Sequence, residues 1–256
     1  MPTREAIIEA LRAGLEGRAP FRAAYLGGSD ATGRVDALSD IDLVCLVSEG
    51  DAEAGFARIE EALGSVAPIE RRWRVPSPTW HGGEQAFYQL EGCEGFGLVD
   101  VVLIAFAPGF EFFVRERHGE PRVLFDPEGL IGRVPLDRAS HEARRRARLE
   151  NAAGKFALLA HLGVKEARRG RVIDAMHFYQ SLALQPLVDV LRAVHCPDRF
   201  DFGMRYLRED LPAGVVEEIE RLAYPGSVEE IPALVERARA LMEGALKEGA
   251  EGAGAG

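Results

Sequence analysis

The chain has 256 residues, 47% hydrophobic and 28% charged, a balance that suits one large or two small globular domains. Lys and Arg number 31 against 41 Asp and Glu, and the net charge of −10 argues against a general nucleic-acid coat, since phosphate binding relies on clustered cations. No run approaches the roughly 18 apolar residues of a membrane span, Cys45, Cys93 and Cys196 make no metal or disulfide pattern, and the Met-Pro-Thr-Arg-Glu start has no basic-then-apolar signal segment, so a cytoplasmic protein is expected.

In chain order, Ile7, Ile8, Leu11 and Leu15 recur at helical spacing over residues 4–16. Residues 21–26 and 41–48 read as strands, with a helix starting near residue 30 between them. A second helix is predicted over 51–64, with Phe56, Ile59, Ala62 and Leu63 on its apolar face. Strands predicted over 69–75 and 86–90 flank a Gly/Pro-rich loop that carries Trp80 and His81. Residues 97–106 form a long buried strand interrupted by one acid, Asp100. A short helix is expected over 109–117, then a strand at 123–125 and a turn at Asp126-Pro127-Glu128-Gly129.

From about residue 138 the pattern becomes wholly helical: 141–162, then 171–194 with a kink or break near Pro186, then 212–224 and 227–247. Ser227 and Glu230 resemble a capping box, with Pro232 delaying the start of the last helix. The Gly/Ala-rich residues 248–256 read as a disordered tail. The expectation is an α+β fold. An N-terminal domain, 1–135, holds a β-sheet flanked by helices, and an all-helical bundle domain spans 136–247.

The most informative stretch is 27–47. The turn Gly27-Gly28-Ser29 follows an apolar run, and ten residues later Ser39-Asp40-Ile41-Asp42 opens another. Small residues let backbone N–H groups approach phosphate oxygens, and a Ser hydroxyl adds a donor. Carboxylates at i and i+2 on a strand share a face and repel each other, and a divalent cation is the usual reason for such a pair. Asp100 stands in an apolar strand, where an unpaired carboxylate costs several kcal/mol. It is the candidate third acid, as metal ligand, general base or both.

The spacing Gly28-Ser29, ten residues, Asp40-Ile41-Asp42 resembles the signature of the DNA polymerase β-like nucleotidyltransferase superfamily. The phrase Ser39-Asp40-Ile41-Asp42-Leu43, with Gly33, looks like its small prokaryotic members. The two-domain layout resembles the aminoglycoside and lincosamide nucleotidyltransferases, which carry a C-terminal helical bundle. The resemblance implies a nucleotidyltransferase domain with a mixed sheet, and substrate plus NTP bound between the domains. It puts triphosphate on Gly28 and Ser29, and Mg²⁺, two ions by this chemistry, on Asp40, Asp42 and, by strand context, Asp100. Ser39 and Lys155 join the nucleotide-binding candidates.

The implied reaction moves NMP, with AMP favoured, from ATP or another NTP to a hydroxyl of a small acceptor. An aminoglycoside-like antibiotic would suit the acidic balance. Two alternatives stay open: a protein AMP-transferase of toxin–antitoxin type, and a regulatory module that binds nucleotide without turnover. Neither a membrane nor general nucleic acid is an expected partner, and monomer and homodimer are both compatible with the sequence. Arg71, Arg72 and Arg74 around Trp73 can hold phosphate or form a solvated face. Trp80 and His81 are placed to contact an acceptor. Arg171 and His177 resemble a short ribonuclease motif but do not share a helix face, and packing is the simpler role for His177.

Overall fold

The computed structural model describes residues 2–48, 50–79, 81–93, 97–107, 113–132 and 135–254. They form two compact units, Met1–Leu136 and Asp137–Gly256. The first is α+β and the second is helical, the expected fold class.

The first unit begins with α1 (Arg4–Leu15), whose N-cap Thr3 accepts a hydrogen bond from the Ala6 N–H, and which buries Ile7, Ile8, Leu11 and Leu15. Strand β1 (Phe21–Leu26) leads into the short helix α2 (Gly28–Thr32), and β2 (Ile41–Val47) leads into α3 (Ala52–Gly64). Then come β3 (Ile69–Arg74), β4 (Glu84–Leu90), β5 (Leu98–Ala105), α4 (Arg115–His118) and β6 (Arg122–Phe125). Of the helix expected over 109–117, residues 115–117 fall in α4 and 113–114 are not helical, and residues 108–112 lie outside the described residues.

The six strands lie in the order β3-β4-β5-β2-β1-β6. β2 and β5 pair in parallel and the other pairs are antiparallel, so the sheet is mixed. β2 and β5 are apolar almost throughout, as central strands covered on both faces must be. One face packs on α1 and α3: Leu43, Cys45, Val101, Leu103, Ala86 and Tyr88 meet Leu11, Phe56, Ile59 and Leu63 in a single core. A Cβ on Gly14 of α1 would stand 2.7 Å from Ala62 Cβ of α3, so glycine permits the close approach of these helices. A smaller apolar cluster on the other face joins Tyr25, Val44, Val102, Ile104 and Phe113.

The second unit contains α5 (Arg138–Leu159), α6 (His161–Arg168), α7 (Val172–Tyr179), α8 (Gln185–His195), α9 (Leu207–Asp210), α10 (Ala213–Ala223) and α11 (Ile231–Gly254). Its core gathers Phe156, Tyr179, Leu187, Leu191, Leu222, Val235 and Met242. Where sequence reading placed a kink near Pro186, the chain makes a wide π turn over Gln180–Leu184. Pro186 has no N–H for the carbonyl four residues back, and a π turn is one way a helix absorbs that loss. Helix α11 runs on to Gly254, across part of the stretch read as a tail. Ala and Glu are adequate helix formers, and Gly249 lies against Val194, so this turn has something to pack on. Among the described residues no helix is long and apolar enough to cross a membrane.

Candidate functional site

Strand register brings the acids together. Asp42 of β2 lies directly opposite Asp100 of β5 in the parallel pair, so their side chains leave the same face of the sheet. Asp40 precedes Asp42 by two residues and sits at the entry to β2. All three carboxylates are half-buried.

The Gly-Gly-Ser turn is pressed against this group. The Gly27 N–H donates to the Asp42 carbonyl at 2.9 Å, which pins the turn to β2. Gly28 has φ +50°, and a Cβ there would fall 1.8 Å from Asp42 Oδ2. Only glycine fits, on both backbone and steric grounds. Sequence reading explained Gly28 by its approach to phosphate, and packing against Asp42 adds a second reason. Ser29 follows in the first turn of α2. Ser39 has a local role: its hydroxyl donates to Asp36 Oδ1 and accepts from the Asp36 N–H, both at 2.9 Å, shaping the turn that delivers Asp40.

Three residues of this neighbourhood escaped sequence reading. Asp30 of α2 has a side chain only 3% exposed and pairs with Arg4 of α1 and, at 3.5 Å, with Arg122 of β6. Arg4 also donates to the Asp40 carbonyl at 3.1 Å, tying α1, α2 and the acid loop together. Gln85 of β4 donates through Nε2 to both oxygens of Asp100, at 2.8 and 3.0 Å. Behind it stands His81. The Gly83 N–H donates to His81 Nδ1 at 3.2 Å, so the ring proton sits on Nε2, which meets Gln85 Oε1 at 3.3 Å. That bond turns the amide so that its NH₂ group faces the carboxylate. His81, expected at an acceptor, therefore braces Asp100 through Gln85, and Trp80 lies outside the described residues. An Asx-type or helix signal announces Asp30 weakly at best. Gln85 could have been suspected as the polar residue that faces a known acid, but only once the strand register was in hand.

The electrostatics follow from this crowding. Burial, with Asp100, Asp40 and Asp30 nearby, pushes the Asp42 carboxyl up to about 6, against a smaller opposing pull from Arg4. Burial also raises Asp40, opposed by Arg4. Asp100 is raised by burial, lowered by the Gln85 hydrogen bonds and raised again by Asp40. Arg4 is the cation that pulls on Asp40 and Asp42, and it pairs with Asp30 rather than with either carboxylate. Among the described residues no three His, Cys, Asp or Glu side chains are arranged to hold a metal ion by themselves. The donor set nevertheless fits Mg²⁺, which takes one or two protein carboxylates and completes its octahedron with water and substrate phosphate oxygens.

The remaining candidates stand on other elements. Arg72 and Arg74 pair with Glu60 and Glu53 of α3, and Arg74 lies over the Phe56 ring, so they belong to the opposite face of the sheet. Lys155 sits half-buried on α5 of the second unit. Arg171 pairs with Glu166 at 3.1 Å, and His177 packs beside Phe178.

No protein-family model and no curated relative matches the chain. Solved structures do. An aminoglycoside 6-adenyltransferase from Bacillus subtilis aligns at 13% identity and a TM-score of 0.42, covering 99% of this chain and 92% of that one. A spectinomycin adenyltransferase from Enterococcus faecialis, solved with ATP and spectinomycin, aligns at 11% identity and a TM-score of 0.34, covering 92% and 87%. A cyclic dinucleotide synthase, CdnE, from Elizabethkingia meningoseptica, solved with GTP and Apcpp, aligns at 16% identity and a TM-score of 0.30, covering 93% and 88%.

Proposed function

We propose that the protein is a Mg²⁺-dependent nucleotidyltransferase that moves NMP, with AMP favoured, from an NTP to a hydroxyl of a small acceptor. The observation that carries this reading is the Asp42–Asp100 pair, in register on adjacent parallel strands, with Gly28 packed on the Asp42 carboxylate. Burial first, and the neighbouring acids second, push the Asp42 carboxyl up, an arrangement that a bound cation would relieve.

In this reading Asp40 and Asp42 hold the metal and Asp100 completes the site. Divalent ions held there would offset charge on the entering and leaving oxygens of an in-line displacement. With the Gly27 N–H used on Asp42, the Gly28 and Ser29 N–H groups and the Ser29 hydroxyl would bind the β and γ phosphates. The acceptor oxygen forms a bond to the α-phosphorus as the bond from that phosphorus to pyrophosphate breaks. In this reading Asp100 takes the acceptor proton, supported by Gln85, held by His81, which hydrogen-bonds both carboxylate oxygens. Lys155 remains a candidate for the triphosphate.

Pyrophosphate release over a panel of NTPs and hydroxyl acceptors tests the reading. Asp42→Asn is expected to lower turnover at least about 10³-fold while the circular dichroism spectrum is kept, a loss in the range of removing a key electrostatic group. Undiminished turnover in that variant would remove the metal assignment.

A further inference from the structure

The row that contains the acids does not end at Asp100. Asp100 of β5 is the register partner of Phe87 of β4, and Phe87 is the partner of Trp73 of β3. Direct partners share a face, so Asp42, Asp100, Phe87 and Trp73 form one line across four neighbouring strands. At about 4.8 Å per strand, Trp73 lies roughly 10 Å from Asp100, the reach of one or two rings. The indole and the Phe87 ring are stacked with centroids 5.5 Å apart and planes at 12°. Phe87 is half-buried, whereas Trp73 is 58% exposed. Next along the same face, Gln89 is the partner of Arg71. The result is an apolar shelf of two stacked rings, one indole face covered by Phe87, with an amide and a guanidinium on the same strands.

In-line displacement gives the shelf a meaning. The attacking oxygen and the leaving pyrophosphate stand on opposite sides of the α-phosphorus. The Gly28-Ser29 turn meets Asp42 from the β1 side of the row. Triphosphate on that turn leaves the acceptor to come from the other side, over β5, β4 and β3. We propose that the Trp73–Phe87 stack is the acceptor subsite, and that the acceptor is a ring-bearing alcohol whose ring face lies on the Trp73 indole while its hydroxyl reaches Asp100. The proposal rests on the nucleotidyl-transfer reading. Two small-molecule chemistries offer such a ring face, the base of a nucleoside and the saturated ring of an aminocyclitol, and the probes below separate them.

Binding and turnover test this independently. Trp73 and Trp80 are the only two tryptophans, so Trp80→Phe leaves Trp73 as the sole indole emitter. Adenosine, spectinomycin and ring-less glycerol are titrated into that variant with and without Asp42→Asn, which keeps the shelf and removes the metal site. Saturable quenching by adenosine or by spectinomycin, but not by glycerol, is expected, and whichever ring quenches names the class. Quenching by neither ring, or equally by glycerol, overturns the proposal even if no probe is a substrate. For a probe that is turned over, Trp73→Ala is expected to raise the acceptor KM roughly 5- to 100-fold, the range of one lost stacking contact. kcat and the NTP KM should stay unchanged, and Trp73→Phe should restore most of the affinity. A rise in the NTP KM instead, or an unchanged acceptor KM, overturns it. Failure of Asp42→Asn to lower turnover would strike the reaction assignment, while the quenching titration would still judge the shelf.

Discussion

The two faces of the β-sheet are made by the same strands and behave oppositely. On the face toward α1 and α3, β2 and β5 place Ile41, Leu43, Cys45, Val47, Val99, Val101 and Leu103 in the buried core, and even the cationic edge residues Arg72 and Arg74 are paired with acids of α3. On the other face, the same two strands carry Asp42 and Asp100, half-buried and in mutual register, with Phe87 and Trp73 extending the line and Gln85 reaching Asp100 from the neighbouring position. Because strand side chains alternate, a single strand can hold a core on one side and a reactive centre on the other. The satisfied face supplies the rigidity. The unsatisfied face retains its charge imbalance, and such imbalance is common where a protein binds a ligand.

The contrast can be broken from the core side. Leu103 of β5 is buried against α3, three positions after Asp100 and on the opposite face. Leu103→Ala is expected to cost about 2–5 kcal/mol in chemical denaturation, while turnover per folded molecule stays near that of the parent. A stable variant with lost turnover would show that the two faces are not separable.

From the site side, Gln85→Leu removes the amide that holds Asp100 but keeps a similar volume. The expected result is a roughly 10- to 100-fold fall in kcat, the usual cost of losing a supporting contact behind a reactive group, with a small change in thermal stability. His81→Ala should give a milder loss in the same direction, since it only orients Gln85. Equal kcat in parent and Gln85→Leu would mean that Asp100 needs no brace.

The smallest effect concerns stability. The Asp42 carboxyl is raised from its ordinary value of 3.8 to about 6 in the fold. The folded state therefore holds its proton more tightly than the unfolded chain does. The stabilisation from that proton is complete below about pH 4 and is lost as pH rises through about 6. In the presence of a chelator, unfolding free energy should fall by about 1–3 kcal/mol from this group between pH 4 and pH 8. Asp42→Asn should flatten that part of the profile, and Mg²⁺ at pH 8 should stabilise the parent more than the variant. A profile identical in the two proteins would remove Asp42 as the source.

Sequence patterns carried the reading a long way at particular places. Helix α1 and the strands β1, β2 and β5 were legible because their apolar spacing is set by burial within one segment. The Gly28-Ser29 and Asp40-Ile41-Asp42 spacing was legible because a turn and a strand entry are local. The π turn before Pro186 and the helical run of α11 beyond residue 248 were not, because neighbouring packing decides where a helix bends or ends.

By itself, the sequence determined that this protein has an α+β half and a helical half, and that two acids and a small-residue turn stand close together along the chain. Only the tertiary structure decided which residues stand across from them. Pairing between strands far apart in sequence put Asp100 beside Asp42, Phe87 beside Asp100 and Trp73 beside Phe87. It also put a glycine where any side chain would strike a carboxylate, and it hung Gln85 and His81 behind the third acid. Local periodicity sets which way a strand's side chains alternate, but register, fixed by the packing of both faces at once, sets what each one meets.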